Sequence, residues 1–211
     1  MTGPSIRLLA ISMRSSHETR YEETRDAVAR NWWDFLKVAL PDTLPLLLPN
    51  DPSYSRDLCE LPGVVGLLLT GGDDLGTFPE RDAAEADAVR SVRARNLPVL
   101  GICRGCQFLS NLHGGDIAAI DPGIHRSRRH RIISLEAGCD FPGEANSYHS
   151  FSTVLPKSGI LVATAAGPDG SVEAFRHATD PLLGIMWHPE RESDPVPEDL
   201  ALFSRVFGAG N

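Results

Sequence analysis

The central motif of this chain is LPVLGICRGCQFL, at residues 97–109. Its apolar run Val99–Ile102 follows a proline and is typical of a strand that is buried on both faces. Beyond this run the apolar residues recur at helical spacing, so the strand leads directly into a helix. The sequence therefore predicts that Cys103 occupies a sharp turn, where Gly101 and Gly105 permit a crowded backbone.

A cysteine in such a turn has three interpretations. The partial positive charge of a helix N-terminus favours a thiolate, as expected for a nucleophile elbow that carries Cys in place of Ser. A buried cysteine at a strand end is also commonly a small core residue. Finally, Cys103 and Cys106 form a C-x-x-C pattern at a helix start, as in thiol-redox proteins. A nucleophile would require a base and an oxyanion site elsewhere in the chain.

Strand-like and helix-like segments alternate in the first half of the chain. The candidate strands are residues 6–11, 44–48, Val64–Leu69 and Val99–Ile102. This alternation predicts a doubly wound three-layer α/β/α sandwich with a mostly parallel central sheet. The second half is poorer in helix, and its short apolar segments predict a small antiparallel portion. We expect residues 1–211 to form a single domain.

Two further turns follow predicted strands. Gly71 and Gly72 come directly after Val64–Leu69 and can point a backbone N–H at a neighbouring site, although Gly-Gly-Asp also favours a plain tight turn. His188 precedes a proline and is therefore expected to be extended at the end of the last strand. There it can face the elbow while Glu190 approaches its far nitrogen. A surface His-Pro-Glu turn is the alternative.

Two polar segments have either a binding or a solvent-facing interpretation. Residues 15–26 are predicted to form a charged loop that leads into a helix whose apolar stripe begins at Ala27. This loop follows the first strand, where open α/β sheets bind ligands. Residues 125–131 form a basic loop, which is either a rim for an anionic ligand or scattered surface charge.

Composition excludes several functional classes. The chain has 211 residues and a net charge of −8, which argues against a nucleic-acid or anionic-membrane partner. No apolar run approaches the ~20 residues that a membrane span needs. The first residues lack the pattern of a signal peptide, and the four cysteines are typical of free thiols in a reducing compartment. We therefore expect a cytoplasmic location.

Taken in order, the Gly-Gly turn, the Cys elbow and the His-Pro-Glu turn resemble the motifs of the class I glutamine amidotransferase-like family. The resemblance covers residues 6–207 and implies a flavodoxin-like sandwich. GICRG at residues 101–105 and NSYHS at residues 146–150 look most like the gamma-glutamyl hydrolase branch. YEETRD at residues 21–26, followed by WDFL at residues 33–36, resembles bacterial hydrolases that act on gamma-glutamyl-CDP-amidate in capsule polysaccharide synthesis.

The resemblance implies a catalytic role for five positions. Cys103 would attack the side-chain amide carbonyl of a gamma-glutamyl group and form a glutamyl thioester. His188 would take the thiol proton and then protonate the leaving amine, while Glu190 orients His188. The backbone N–H groups of Gly72 and Arg104 would form the oxyanion hole.

The same resemblance implies the substrate contacts. The expected positions are Gly71, Gln107, the backbone of Ser150 and Phe151, and, in the N-terminal segment, Arg14, Tyr21 and Arg25. His149 is expected to shape the glutamate pocket. Cys106 departs from the small residue that the family has there, and we expect it to pack in the core or to trap Cys103 as a disulfide on oxidation. We expect no metal and no organic cofactor.

Three functions remain open at this point. The first is a free-standing hydrolase of a small gamma-glutamyl amide. The second is the glutaminase subunit of a two-chain amidotransferase, which would deliver ammonia to a synthase or synthetase partner. The third is a thiol-redox protein that uses Cys103 and Cys106. A homodimer is compatible with each of them.

Overall fold

The computed structural model describes residues 6–208. Its strands are β1 (Arg7–Ser12), β2 (Arg14–Glu18), β3 (Glu23–Ala27), β4 (Thr43–Leu48), β5 (Val64–Leu69), β6 (Val99–Ile102), β7 (Asp116–Ala119), β8 (Arg126–Arg131), β9 (Ile133–Ser134), β10 (Glu144–Tyr148), β11 (Phe151–Val154), β12 (Leu161–Ala166), β13 (Val172–His177) and β14 (Leu182–Ile185). Its helices are α1 (Asn31–Ala39), α2 (Pro52–Cys59), α3 (Pro79–Ala94), α4 (Arg104–Leu112), α5 (Pro122–His125), α6 (Pro197–Phe207) and a 3-10 turn (Pro189–Arg191). The expectation about a signal peptide concerns residues 1–5, which lie outside the described residues.

An eight-stranded sheet in the order β4-β1-β5-β6-β14-β13-β12-β9 forms the centre of the fold. The five strands from β4 to β14 are parallel to their neighbours, whereas β13, β12 and β9 continue the sheet in antiparallel fashion. The predicted α/β fold, with a mostly parallel sheet and a small antiparallel portion, is confirmed.

Helices cover both faces of this sheet, as the side-chain alternation of its buried strands requires. On β5, Leu68 faces the layer of α1 and α6, while Leu67 and Leu69 face the layer of α2, α3 and α4. In the first layer the rings of Phe35 and Phe203 meet edge to face, with 4.8 Å between centroids. Among residues 6–208, no helix combines the length and the apolar character needed to cross a bilayer.

The prediction of a loop at residues 15–26 is wrong. The segment forms an antiparallel hairpin in which β2 pairs with β3, and α1 begins only at Asn31, so Ala27 ends a strand instead of starting a helix. Most of the hairpin residues are exposed. With no core-facing side to require apolar residues, the alternation that signals a strand is missing from the sequence.

The prediction of a basic loop at residues 125–131 is also wrong. His125 ends α5, and residues 126–131 form β8, which pairs with β10. Four arginines of β8 are exposed, but His125 and His130 are buried. The segment therefore carries surface charge on one side and a buried pair of imidazoles on the other.

Candidate active site

Four neighbouring parallel strands end at one place on the sheet edge. The strands are β1, β5, β6 and β14, and the chain continues from them to Arg14, Gly71, Cys103 and His188. Ligands bind at the carboxyl ends of strands in open α/β sheets. The fold therefore brings the three sequence motifs together at the edge where a ligand site is expected.

Cys103 lies on a strained turn between β6 and α4. Its backbone has φ 52° and ψ −105°, which is unusual for a residue other than glycine. The turn is held because the Cys103 N–H donates to the carbonyl of Ile185 at 2.8 Å and its own carbonyl accepts from Gln107 N–H at 3.0 Å. A side chain at Gly101 would lie 2.5 Å from the carbonyl oxygen of Gly105, so only glycine fits there. This is the geometry of a nucleophile elbow.

His188 and Glu190 form a buried hydrogen-bonded pair beside the elbow. His188 Nδ1 lies 2.7 Å from Glu190 Oε1, and both side chains are almost fully buried. The opposite nitrogen of the ring remains for Cys103, with which His188 also interacts. Burial by itself lowers the pKa of His188, but the interactions with Cys103 and Glu190 outweigh it and raise that pKa to about 9. The imidazolium form is therefore stabilised at neutral pH.

Asn146 fixes the backbone of His188, a role that the sequence analysis did not identify. The His188 N–H donates to Asn146 Oδ1 at 3.0 Å, and Asn146 Nδ2 donates to the His188 carbonyl at 2.8 Å. Because one amide side chain satisfies both backbone groups, the residue that carries the imidazole is pinned at two points. The signal was an asparagine within a strand, where this residue type is uncommon without a specific partner.

The Gly-Gly turn after β5 packs directly against the imidazole. A Cβ at Gly71 would lie 2.7 Å from Cε1 of His188, so the absence of a side chain lets the ring approach. Gly72 has φ 151°, a conformation that favours glycine. Arg104 is the first residue of α4, and its backbone N–H has no carbonyl within the helix to bind. Arg104 directly follows Cys103, and Gly72 lines a narrow cleft with His188.

A buried ion-pair network supports this turn and was missed by the sequence analysis. Arg81 Nε donates to Glu85 at 2.9 Å, while its Nη2 donates to the carbonyl of Thr70 at 2.8 Å and to that of Gly71 at 3.2 Å. Glu85 also accepts from the side chain of Arg104. Arg81 and Glu85 are each about 1% exposed. Their i,i+4 spacing on α3 was visible in the sequence, but it does not distinguish a buried pair from a surface one.

Gln107 and Phe151 border a small cavity of about 160 Å³ next to the elbow. Gln107 Nε2 donates to the carbonyl of Phe151 at 2.8 Å. This hydrogen bond joins Gln107 to the segment that contains Ser150. The amide oxygen of Gln107 keeps its capacity to accept a hydrogen bond.

The three N-terminal candidates lie at different distances along the hairpin. Arg14, at its base, pairs with Asp73 at 2.9 Å and lines a narrow cleft with Gly72 and His188. Arg25 pairs with Glu23 within β3, and Tyr21 is 70% exposed in the turn between the strands. Only Arg14 is placed at the cleft.

Cys106 faces the core. It is fully buried, burial raises the pKa of its thiol well above the ordinary value, and its Sγ fills the space beside Gly184. A thiol in such a place is unreactive. Cys59, Cys103, Cys106 and Cys139 are all free thiols in the structure. The packing role expected for Cys106 agrees with this position, and a redox role for it does not.

Comparisons with known proteins find a matching family and several similar proteins. The model of the family Peptidase C26 matches residues 6–190. The gamma-glutamyl-CDP-amidate hydrolase of Campylobacter jejuni subsp. jejuni serotype O:2 is 29% identical over 197 residues, which are 88% of this chain and 90% of that protein. Anthranilate synthase component 2 of Mycobacterium tuberculosis is 34% identical over 147 residues, or 67% of this chain and 62% of that protein.

The fold is shared with solved structures. A glutamine amidotransferase from Thermotoga maritima superimposes with a TM-score of 0.65 at 14% identity, covering 96% of this chain and 84% of that one. At this identity the similarity concerns the fold and not the substrate.

Proposed function

Because this chain belongs to the Peptidase C26 family, whose fold is that of class I glutamine amidotransferases, we propose that it hydrolyses a gamma-glutamyl amide with Cys103 as nucleophile. Membership of this family makes it a cysteine-dependent amidohydrolase. The observation that carries the proposal is the strained elbow of Cys103 next to the buried His188–Glu190 pair.

The reaction proceeds in two halves. His188 accepts the thiol proton of Cys103, and the sulfur adds to the gamma-carbonyl carbon of the substrate. The tetrahedral intermediate collapses as His188 delivers the proton to the leaving nitrogen, which departs as an amine or amidate and leaves a glutamyl thioester. Water, deprotonated by His188, then attacks the thioester carbonyl, and glutamate and the free thiol are released.

The oxyanion of each intermediate would lie between the backbone N–H groups of Gly72 and Arg104. Loss of one such donor typically costs on the order of 2.7–4 kcal/mol in the barrier. The Arg81 guanidinium holds the carbonyls of Thr70 and Gly71, and this fixes the direction of the turn. Preorganisation of this kind is what makes an oxyanion site effective.

The glutamate part of the substrate would bind in the cavity beside the elbow. The Gln107 side-chain oxygen can accept from the α-ammonium group, and the backbone of Ser150 and Phe151 can contact the α-amino and α-carboxylate groups. Gly71 contributes by its lack of a side chain, which keeps the ring of His188 in place.

An anionic leaving group fits the mouth of the cleft best. Arg14, which also pairs with Asp73, and Arg191 both line the cleft that contains Gly72 and His188, so two guanidinium groups would lie near the departing group. The C. jejuni relative, matched over 90% of its length, is named for a gamma-glutamyl nucleotide amidate. Gamma-glutamyl-CDP-amidate is accordingly the first substrate to test.

A glutaminase subunit is the second candidate. Anthranilate synthase component 2 matches two thirds of this chain, and this relative is one component of a synthase. The same cysteine and histidine would then release ammonia from glutamine for use by a partner.

Glutamate release by wild type and Cys103→Ala, measured with glutamine, gamma-glutamyl amines and gamma-glutamyl-CDP-amidate, tests the proposal. The matched control is Cys139→Ala, which removes a thiol outside the site. We expect release from a gamma-glutamyl conjugate that is abolished in Cys103→Ala and retained in Cys139→Ala. Release from glutamine alone would favour the glutaminase subunit, and equal release by wild type and Cys103→Ala would refute the cysteine mechanism.

A further inference from the structure

Three histidines and a glutamate meet in a buried cluster behind the proposed glutamate pocket. The cluster consists of His125, His130, His149 and Glu173, none of which is more than 7% exposed. They come from the end of α5, from β8, from the turn between β10 and β11, and from β13. One nitrogen of each histidine and one oxygen of the glutamate lie within 4.8 Å of one another.

The spacing within the cluster fits a metal ion better than it fits hydrogen bonds. Glu173 Oε1 lies 3.4 Å from His125 Nδ1, 3.4 Å from His130 Nε2 and 3.6 Å from His149 Nε2. Hydrogen bonds between nitrogen and oxygen are shorter, at about 2.7–3.2 Å. Ligands about 2.0–2.1 Å from a tetrahedral Zn²⁺ are separated by roughly 3.3–3.4 Å, because the edge of a tetrahedron is about 1.6 times its centre-to-vertex distance.

The outward side of each imidazole has a partner that orients the ring. The outward nitrogens of His125, His130 and His149 are paired, respectively, with the carboxylate of Asp169 at 3.0 Å, the carbonyl of Arg131 at 3.1 Å and the carbonyl of Phe151 at 3.1 Å. A backbone carbonyl or carboxylate can only accept, so each histidine donates outward and keeps a lone pair on its inward nitrogen. Metal-binding histidines are held in this way by their outer partners.

Most inward atoms of the cluster lack hydrogen-bond partners within residues 6–208, whereas His125 Nδ1 lies 3.5 Å from Ser147 Oγ. His130 Nε2, His149 Nε2 and both carboxylate oxygens of Glu173 are buried without any hydrogen bond among the described residues. Buried polar atoms without partners are rare because each one costs free energy. Three of them, His130 Nε2, His149 Nε2 and Glu173 Oε1, face one another and indicate a cation-binding site.

We propose that His125, His130, His149 and Glu173 bind one divalent transition-metal ion, with zinc as the preferred ion. Three imidazole nitrogens and one carboxylate oxygen suit zinc, and all four tetrahedral positions are filled by the protein. A closed site of this kind is structural, since no position remains for water or substrate.

The proposed ion supports the segments that complete the active site. His149 and Gln107 both donate to the carbonyl of Phe151, so the ion fixes one wall of the proposed glutamate pocket. Asn146, which pins His188, lies on β10, and β10 pairs with β8, which carries His130. These four residues are therefore positioning residues, which act on the reaction through the pocket wall and through His188.

The first test measures the metal content and coordination of tag-free protein. After incubation with Zn²⁺ and gel filtration, we expect about one ion per chain, with X-ray absorption showing nitrogen and oxygen ligands at about 2.0–2.1 Å. The same content in Cys103→Ala would place the ion away from the elbow. Less than about a tenth of an equivalent, or a sulfur ligand at about 2.3 Å, would overturn the proposal.

The second test compares zinc affinities by chelator competition. Glu173→Gln should lose the tightly bound ion, and Asp169→Asn, which alters only an outer partner at the surface, should weaken binding about 10- to 100-fold. His113→Ala is the control, because this histidine lies outside the cluster. If Glu173→Gln does not fold, Asp169→Asn and the wild-type absorption spectrum decide the matter. Unchanged affinity in Asp169→Asn or in a folded Glu173→Gln would refute the site.

Discussion

Replacement of Glu190 by glutamine tests how the buried pair acts in the proposed reaction. The substitution keeps the size of the side chain and removes the charge that faces His188 Nδ1 at 2.7 Å. Because both groups are almost fully buried, solvent screens this interaction very little. The effect should therefore be larger than that of a surface ion pair.

The pKa of His188 sets the size of the expected loss of activity. The pKa of His188 is raised from 6.5 to about 9 against the opposing effect of burial. At about 1.36 kcal/mol per pKa unit, the net stabilisation of the imidazolium is roughly 3 kcal/mol. Glu190 shares this with Cys103, whose effect is the larger, so the loss of the Glu190 charge should cost about 1–2 kcal/mol, which corresponds to a fall of roughly 5- to 30-fold in kcat/KM.

The pH dependence gives a second and independent measure. In wild type the alkaline limb of kcat/KM should follow His188 near pH 9, and in Glu190→Gln it should move to lower pH. The raised pKa of His188 also stabilises the folded state. This contribution to the free energy of unfolding is fully present below the unfolded pKa of 6.5 and is lost as pH rises through about 9. The pH-dependent part of the difference in unfolding free energy between wild type and Glu190→Gln should therefore vanish at high pH.

The assay is glutamate release across pH 6–10, combined with urea unfolding at each pH. Glu60→Gln is the matched control, since Glu60 is an exposed carboxylate that follows α2 at the opposite edge of the sheet. We expect it to leave both the rate and the alkaline limb unchanged. An alkaline limb that stays in place in Glu190→Gln, together with a rate within about threefold of wild type, would refute the electrostatic reasoning.

Three other substitutions have outcomes that the packing determines. Gly71→Ala should lower kcat/KM by about 10²-fold in steady-state assays, because the new Cβ would lie 2.7 Å from the ring of His188 and would push the ring out of position. Gly143→Ala is the control and should leave kcat/KM unchanged, because its Cβ would meet nothing within 4 Å. Cys106→Ala should retain activity in the glutamate-release assay and lose about 1 kcal/mol in urea unfolding, and an inactive but folded variant would revive the redox interpretation. Arg81→Met should lose about 3–5 kcal/mol in the same unfolding assay because it leaves a buried carboxylate without one of its partners, and a loss below about 1 kcal/mol would contradict a tightly coupled network.

The sequence predicted the parallel core of the fold and the three turns at its edge. Val64–Leu69 and Val99–Ile102 are uninterrupted apolar runs, and such runs form only where a strand is covered on both faces. Once these strands are parallel neighbours, their carboxyl ends must lie side by side. The proximity of Gly71, Cys103 and His188 then follows from topology rather than from the side chains.

The wrong predictions concern segments in which buried residues do not recur at a regular spacing in the sequence. The hairpin of β2 and β3 has two exposed faces, so neither helical nor strand periodicity appears in its sequence. The wrong prediction for the basic segment has a further cause. His130 is the only buried residue of β8, and one inward position does not establish a pattern. The proposed metal site also gives a weak signal in the sequence. Four residues separate His125 from His130, a spacing that also occurs in zinc sites, but the other two proposed ligands, His149 and Glu173, lie farther along the chain.

The proposed active site depends on two kinds of support that come from different parts of the chain. Gly101, the Gln107 N–H that binds its carbonyl and the start of α4 fix the backbone of Cys103 from nearby in the chain, and Ile185 on the neighbouring β14 adds one distant hydrogen bond. The backbone N–H of His188 depends instead on Asn146 of β10, which also donates to the His188 carbonyl, while Glu190 and Arg191 bind His188 from nearby in the chain. Damage to the second half should therefore displace the base before it disturbs the nucleophile. Such a variant would keep a thiol that reacts with alkylating reagents while losing the ability to turn over substrate.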